Sequence, residues 1–396
     1  MGNIKSALLG ILRSIGKTIA AGTQAAAAGA GSALSTVISA TSNLFGPLAS
    51  FASKTGVRIA AKLGLPVSGG ALATGVTYGA VALAVMVGGF GAYYAITKQP
   101  LPFIPGLSEV PIIGGAVKAI PPRYVFSIHG VSQPLGVALS PDGKRVYVTE
   151  GSGQRLVRFF DPEGKPLGTF PPPPGAEQAL RLPTSVAIGS DGKVYVSDRV
   201  MRAVHVYKPD GAYLSPFIPQ GSAGLLSEPL ALTIDDKGEL YVTEVSLGAH
   251  RVMEFTPLGQ LKRAFGREGR GEGEFSFPNA VVVDRQGGFY VSDSNNNRVL
   301  ILDSKGEYQG LLPGKLGMPR GLALDDLGRL YVVDNVGAQV WVFDTKEKPA
   351  KLLFTFGVLG DEDGQLSYPN GIAVDGRTGR VYVADFANNR VSVWAY

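Results

Sequence analysis

The sequence predicts an all-β domain, a six-bladed β-propeller, behind an N-terminal helical membrane anchor. Three observations carry the prediction. A Tyr-Val pair recurs at Tyr147, Tyr195, Tyr241, Tyr290, Tyr331 and Tyr382, each time with the same companions. A long uncharged apolar run lies upstream of these pairs, within residues 63–97. Charge divides the chain at the same place. Residues 1–98 hold seven basic side chains (Lys5, Arg13, Lys17, Lys54, Arg58, Lys62 and Lys98) and no acid, so that 30 of the 37 basic residues and all 32 acidic ones lie downstream.

The basic character therefore belongs to the N-terminal part. A propeller built to bind nucleic acid should itself be basic, so no nucleic-acid partner is expected. The absence of Cys excludes disulfides, thiolate metal sites and cysteine nucleophiles.

Residues 1–62 read as a pre-anchor. Ile4, Leu8, Ile11, Leu12, Ile15 and Ile19 recur at helical spacing, with Lys5, Arg13 and Lys17 on other faces. Such a helix can lie on an anionic membrane surface or pack against a partner. The Ala/Gly-rich stretch that follows, 20–53, carries Gln24 and Asn43 and is less apolar than a usual span. The opening MGNIKS fits the myristoylation pattern at Gly2, a pattern short enough to arise by chance.

Residues 63–98 read as a transmembrane helix, because about 20 apolar residues suffice to cross the hydrocarbon. Tyr93 and Tyr94 stand at its far end, where aromatic rings favour the interface. Lys54, Arg58 and Lys62 flank the near end and only Lys98 the other. That bias places the N-terminus in the cytoplasm and the following domain outside. A cleaved signal peptide would carry a shorter run, placed earlier. Residues 99–123, with Pro100, Pro102, Pro105, Pro111, Pro121 and Pro122, read as an extended, semi-rigid stalk.

Residues 124–396 are the repeat region. A Pro precedes each Tyr by twelve or thirteen residues: Pro134, Pro183, Pro229, Pro278, Pro319 and Pro369. A carboxylate follows each Tyr by three: Glu150, Asp198, Glu244, Asp293, Asp334 and Asp385. An Arg comes next at 155, 202, 251, 298 and 390, with Gln339 in the fifth repeat. Units of this length, holding four short strands separated by turns such as SPDG and DDKG, are propeller blades. The last unit stops after its third strand, VSVWAY, while an extra strand, YVFSIHG, precedes the first. The first strand is therefore expected to complete the last blade and close the ring.

The strings FPNAVVVDRQGGFYVSDSNNNRVLILD and YPNGIAVDGRTGRVYVADFANNRVSVWAY, with GREGRGEGEF and GVLGDEDGQL before them, resemble NHL repeats. The resemblance is strongest in the fourth and sixth units and weaker in the second and fifth. It implies a six-bladed propeller, a fold used mostly for binding, with a minority of enzymes among its members.

The six carboxylates read as architecture, each fixing a turn, because a feature repeated in every blade is usually structural. Residues just after each Pro (Leu135, Thr184, Leu230, Asn279, Arg320 and Asn370) differ from blade to blade and should lie at the channel mouth. With the neighbouring Asn295, Asn296, Asn297, Asn388 and Asn389 they make one polar face. Thr184, Asn279, Arg320, Asn370, Asn296 and Asn389 are the candidate ligand-binding residues. His129, His205 and His250 fall in unlike strand contexts, so no zinc site is expected. Asp361, Glu362 and Asp363 read as a solvated loop rather than a calcium site. Neither a catalytic set nor a cofactor motif stands in the right context.

The functional expectation is an extracytoplasmic binding or assembly scaffold for a protein or polymer ligand, held at the membrane by 63–98. One alternative is a propeller hydrolase or lyase with its site in the central channel. Another is a structural surface or virion component, suggested by the Ala/Gly-rich 20–53.

Overall fold

The computed structural model describes residues 120–176, 181–220 and 226–396. The readings made on 1–62, on 63–98 and on nearly all of the stalk lie outside the described residues. Among those described, no helix is long and apolar enough to cross a membrane.

Six four-stranded antiparallel sheets make the domain. Strand β1 (Arg123–Ile128) comes first. Blade one is β2 (Pro134–Leu139), β3 (Val146–Glu150), β4 (Val157–Phe160) and β5 (Pro166–Phe170); blade two is β6 (Pro183–Ile188), β7 (Val194–Asp198), β8 (Ala203–Tyr207) and β9 (Tyr213–Pro216). Blade three is β10 (Pro229–Ile234), β11 (Leu240–Ser246), β12 (Ala249–Phe255) and β13 (Leu261–Phe265). Blade four is β14 (Pro278–Val283), β15 (Phe289–Asp293), β16 (Arg298–Leu302) and β17 (Tyr308–Leu311). Blade five is β18 (Pro319–Leu324), β19 (Arg329–Asp334), β20 (Gln339–Asp344) and β21 (Lys351–Phe356). Blade six has β22 (Pro369–Asp375), β23 (Arg380–Asp385) and β24 (Arg390–Ala395), and takes β1 as its outermost strand. The pairing runs from Arg123 opposite Ala395 to Ile128 opposite Val391. Ring closure by the first strand is thus observed, with β1 beginning one residue inside the expected stalk. The edge of β24 is covered by backbone hydrogen bonds rather than left open to other chains.

Side chains alternate across each strand, so every blade has two apolar faces. The buried residues accordingly form six clusters, each wedged between two consecutive blades. Val146 and Val148 of β3 face blade six, and Tyr147 between them faces blade two. Leu330 and Val332 of β19 face blade four, and Tyr331 faces blade six. The recurring Tyr is therefore the plug that each blade sends into the next. In five of the six blades its ring is buried, Tyr195 being half-buried, and the hydroxyl can reach a polar partner at the wedge's end: Tyr147 donates to the Pro209 carbonyl at 3.1 Å, and Tyr241 to Asp235 at 3.1 Å. A second plug sits three residues before the Pro, at Val131, Leu226, Phe275, Leu316 and Leu366, all buried.

Turn chemistry holds the opposite ends of the strands. At the turns opened by Asp161, Asp235, Asp284, Asp303 and Asp325, the side chain accepts N–H bonds from residues two and four further on. Near the axis the inner strands of blades five, six and one crowd each other. A Cβ on Gly371 would lie 2.6 Å from the Leu135 carbonyl oxygen and 2.9 Å from the Gly136 Cα, and one on Gly321 would lie 2.6 Å from the Asn370 oxygen. Glycine at these sites, two residues after the Pro, lets the backbones meet.

Gly371→Ala is therefore expected to lower the stability of the full chain by about 1–3 kcal/mol, the usual range for overpacking. Urea denaturation in detergent solution measures it. An unchanged midpoint would mean that β22 and β2 can part without penalty.

Candidate functional site

The face where the six inner strands begin is organised by the carboxylates three residues after each Tyr. Each stands directly across the ladder from its Pro: Pro134 with Glu150, Pro183 with Asp198, Pro229 with Glu244, Pro278 with Asp293, Pro319 with Asp334 and Pro369 with Asp385. All six are buried. In five blades the carboxylate accepts the backbone N–H two residues before the Pro, from Ser132, Ser227, Ser276, Gly317 and Ser367. In blade two Asp198 accepts from Leu182 at 3.0 Å and also from Val200 and Met201 across the turn. Each carboxylate thus ties the incoming loop to its blade and aims the start of the inner strand. Burial pushes the Asp293 carboxyl above its ordinary range, against the pull of the Ser276 N–H, Asn296 and Arg298.

The Arg companions play different parts in different blades. Arg298 and Arg390 pair with Asp293 and Asp385 at 2.8 and 2.9 Å. In blade one the partner is Arg158, at 2.6 Å from Glu150. Arg155 and Arg202 instead occupy the left-handed turn position, with φ of 53° and 57°, the place taken by Asn297 and Asn389 elsewhere. Arg251 stands across the ladder from Glu244, whose two oxygens are already taken by the N–H groups of Ser227 and Glu228.

Inside this frame lies the central channel, a cavity of about 330 Å³. Leu135, Thr184, Leu230, Asn279, Arg320 and Asn370 all line it, together with an aliphatic collar of Val137, Val186, Leu232, Val281, Leu322 and Ile372. The structure does not bring Asn296 or Asn389 to the lining. Asn296 donates to Asp293 and to the Gly269 carbonyl, both at 2.8 Å, and Asn388 does the same work on Asp385 and Gly360. Asn389 accepts the Gln133 N–H at 2.9 Å, and Asn297 accepts that of Met318 at 2.9 Å. These asparagines staple one blade to the next.

The lining side chains differ in how far the framework uses them. The Thr184 hydroxyl bonds the Ser197 hydroxyl and donates to the Leu230 carbonyl. Asn279 donates to Phe277 and Ser294 and accepts from Arg320 at 2.8 Å. Arg199, which the sequence reading did not single out, also lines the channel; Glu228 holds its guanidinium at 2.9 and 3.0 Å. The Asn370 amide has no side-chain hydrogen bond among the described residues. Burial pulls the Arg320 guanidinium below its ordinary pKa. Among the described residues the lining contains no Asp, Glu or His.

The histidines lie apart. His129 is exposed past the end of β1, His205 is buried in β8, and His250 is buried against the Phe275 carbonyl. Asp363 accepts the Tyr124 hydroxyl at 2.8 Å, which ties the acidic loop to the closing strand. Among the described residues no three His, Cys, Asp or Glu side chains are grouped so as to hold a metal ion.

A family model described as NHL repeat matches residues 275–302, 316–343 and 366–394, which are the cores of blades four, five and six. Three of the six blades thus match NHL repeats, within a six-bladed β-propeller. The fifth unit is matched alongside the fourth and sixth, although Gln339 replaces its Arg. Among curated proteins, the chain is 26% identical over 138 residues to Protein brain tumor of Drosophila melanogaster, covering 33% of this chain and 9% of that protein. It is 34% identical over 94 residues to a probable peptidyl-alpha-hydroxyglycine alpha-amidating lyase of Caenorhabditis elegans, covering 22% of this chain and 26% of that one. The chain thus spans at most about a quarter of the length of either relative. A solved structure titled as a putative gluconolactonase superposes with a TM-score of 0.53 at 16% identity, over 74% of this chain and 96% of that one. That likeness shows the propeller fold shared by the two.

The buried acid–Arg pairs carry stability. Asp385→Ala is expected to cost about 3–5 kcal/mol, because it leaves Arg390, whose side chain is only 6% exposed, with no counter-charge nearer than the exposed Asp363 at 4.0 Å. Pairing it with Arg390→Met should recover part of that loss in urea denaturation. No recovery would assign the whole effect to the lost Ser367 cap.

Proposed function

We propose that this NHL-repeat propeller is a binding module held at a membrane by residues 63–98, taking its ligand at the mouth of the central channel. The observation that carries the reading is the contrast between two sets of residues on one face. The Pro, carboxylate and Asn positions repeat and spend their bonds on the frame. The six positions just after the Pro differ in every adjoining pair of blades and open into a cavity of about 330 Å³. That volume lies within the range of ordinary ligand sites, and an apolar lining with a few fixed polar groups is their usual character. A protein or polymer ligand would insert one group there and rest on the surrounding loops. The rival hydrolase or lyase reading needs acids or histidines converging on the channel, and among the described residues its lining side chains are Arg, Asn, Gln, Thr, Ser and apolar groups.

The membrane part of the proposal rests on the sequence: the uncharged run, the basic flank at Lys54, Arg58 and Lys62, and the Pro-rich connection. Transferring a basic side chain through the bilayer centre costs about 2.5–3.5 kcal/mol on insertion scales. Keeping that flank in the cytoplasm leaves the propeller outside.

Two measurements test this. Protease added to intact cells is expected to cut within 99–119 and release a fragment of about 30 kDa, the size of a compact domain of this length; protection until lysis would reverse the orientation. In capture from solubilised membranes, the full chain is expected to retain a partner that is lost on Asn370→Ala with Thr184→Val. The partner should survive Lys237→Ala on the opposite face. Capture indifferent to the mouth, or turnover of a small molecule without capture, would overturn the binding reading.

A further inference from the structure

Arg320 is the unusual member of the channel. Six other Arg side chains meet acids, Arg158 with Glu150, Arg199 with Glu228, Arg263 with Glu254, Arg298 with Asp293, Arg329 with Asp325 and Arg390 with Asp385, while Arg145, Arg155 and Arg181 donate to backbone carbonyls. Arg320 has no carboxylate within ion-pair distance among the described residues. Its only side-chain hydrogen bond goes from Nη1 to Asn279 Oδ1, at 2.8 Å, and its Nε is buried with no partner. Arg251 also has a buried Nε without a partner, but it stands across the ladder from Glu244 and does not line the cavity. A guanidinium carries five N–H donors in a planar fork that matches a carboxylate or phosphate edge. Here most of that fork is unspent, in a cavity whose other cation, Arg199, is already neutralised and whose lining, among the described residues, holds no acid.

The residue beside it completes the set. Asn370 begins the next inner strand, whose backbone passes so close that a Cβ on Gly321 would lie 2.6 Å from the Asn370 oxygen. Its side-chain amide lines the same cavity with its donors free. Asn279, fixed by Phe277 and Ser294, braces the guanidinium from the other side.

We propose that the channel mouth is an oxyanion site, in which Arg320 and Asn370 receive a carboxylate or phosphate group above the aliphatic collar. The proposal rests on the reading of the channel as the binding site, and it narrows the class of ligand. A charge-assisted, two-point contact is the strongest interaction these residues can offer.

The test is equilibrium titration of the detergent-solubilised full chain with sodium phosphate and with butyrate, at constant ionic strength set by chloride. Saturable binding of at least one is expected, and which one binds distinguishes the two sources. Arg320→Met should abolish it, and Arg320→Lys, which keeps the charge but loses the fork, should weaken it about tenfold or more. Circular dichroism and the urea midpoint of both variants report folding. Met at 320 removes an unpaired charge, so that fold is expected to be retained. Failure of both anions to bind the wild-type chain, or equal binding by a folded Arg320→Met variant, overturns the proposal. If the captured partner is retained by Arg320→Met and is not displaced by either anion, the oxyanion site fails while the binding module stands. Binding of an anion with no captured partner gives the converse.

Discussion

The hydrogen bond from a loop N–H to the buried carboxylate at the end of the second strand is the constraint on which the rest of this propeller depends. A blade has no core of its own; its apolar faces are buried only when neighbours stand on both sides. The angle between neighbours is set where one blade hands the chain to the next. At that point Ser132, Ser227, Ser276, Gly317 and Ser367 donate to the acids of their blades, and Pro follows two residues later. Pro itself offers no N–H, so a side-chain acceptor aimed at the residue two before it fixes the loop where the ladder cannot. An acid does this better than an amide or hydroxyl, because it accepts several bonds and draws a further cation or amide donor across the turn. Burying it is tolerable only because nearly every lone pair is used.

How much of this was legible follows from the same physics. Tyr, Pro and acid keep fixed spacings because they lie on paired strands, where one inserted residue would turn every side chain to the wrong face. Ring closure was legible as well, since the spare strand at Tyr124 and the missing one after Trp394 form a matched pair. The Arg companions play unlike parts because they lie beyond a turn of variable length. There Arg155 and Arg202 hold the left-handed position that Asn297 and Asn389 hold elsewhere. Asn296 and Asn389 were assigned to the binding face because polar loop residues invite that reading, whereas their amides bond the loops of their own and the next blade. Arg199 carried no repeat signal, and its place at the channel follows from its immediate neighbour, the buried Asp198.

The division of labour on the mouth face has a mechanical basis. The loop, the acid and the left-handed turn are bonded mainly through backbone groups, so their geometry is nearly independent of the side chain just after the Pro. That position can change from Leu to Thr, Asn or Arg without disturbing the frame. The opposite end of the barrel lacks this freedom, since its turns are built from Asp side chains closing on their own backbone. Variation, and with it recognition, is thereby concentrated at one end of a rigid ring.

Arg320 shows what that freedom permits. In the wedges between blades, a guanidinium without an acid would be expelled or would unfold the blade, since its desolvation there has no compensation. At the mouth of a cavity the same group keeps partial access to water and is held by Asn279 alone. Burial pulls its pKa down, and most of its fork stays unspent. An entering oxyanion would give those donors acceptors. Selectivity then comes from the collar below: Val137, Val186, Leu232, Val281, Leu322 and Ile372 accept an apolar body and offer nothing to a second charge. A ligand charged at one end and apolar at the other satisfies both layers, whereas a doubly charged one would desolvate its second charge against hydrocarbon.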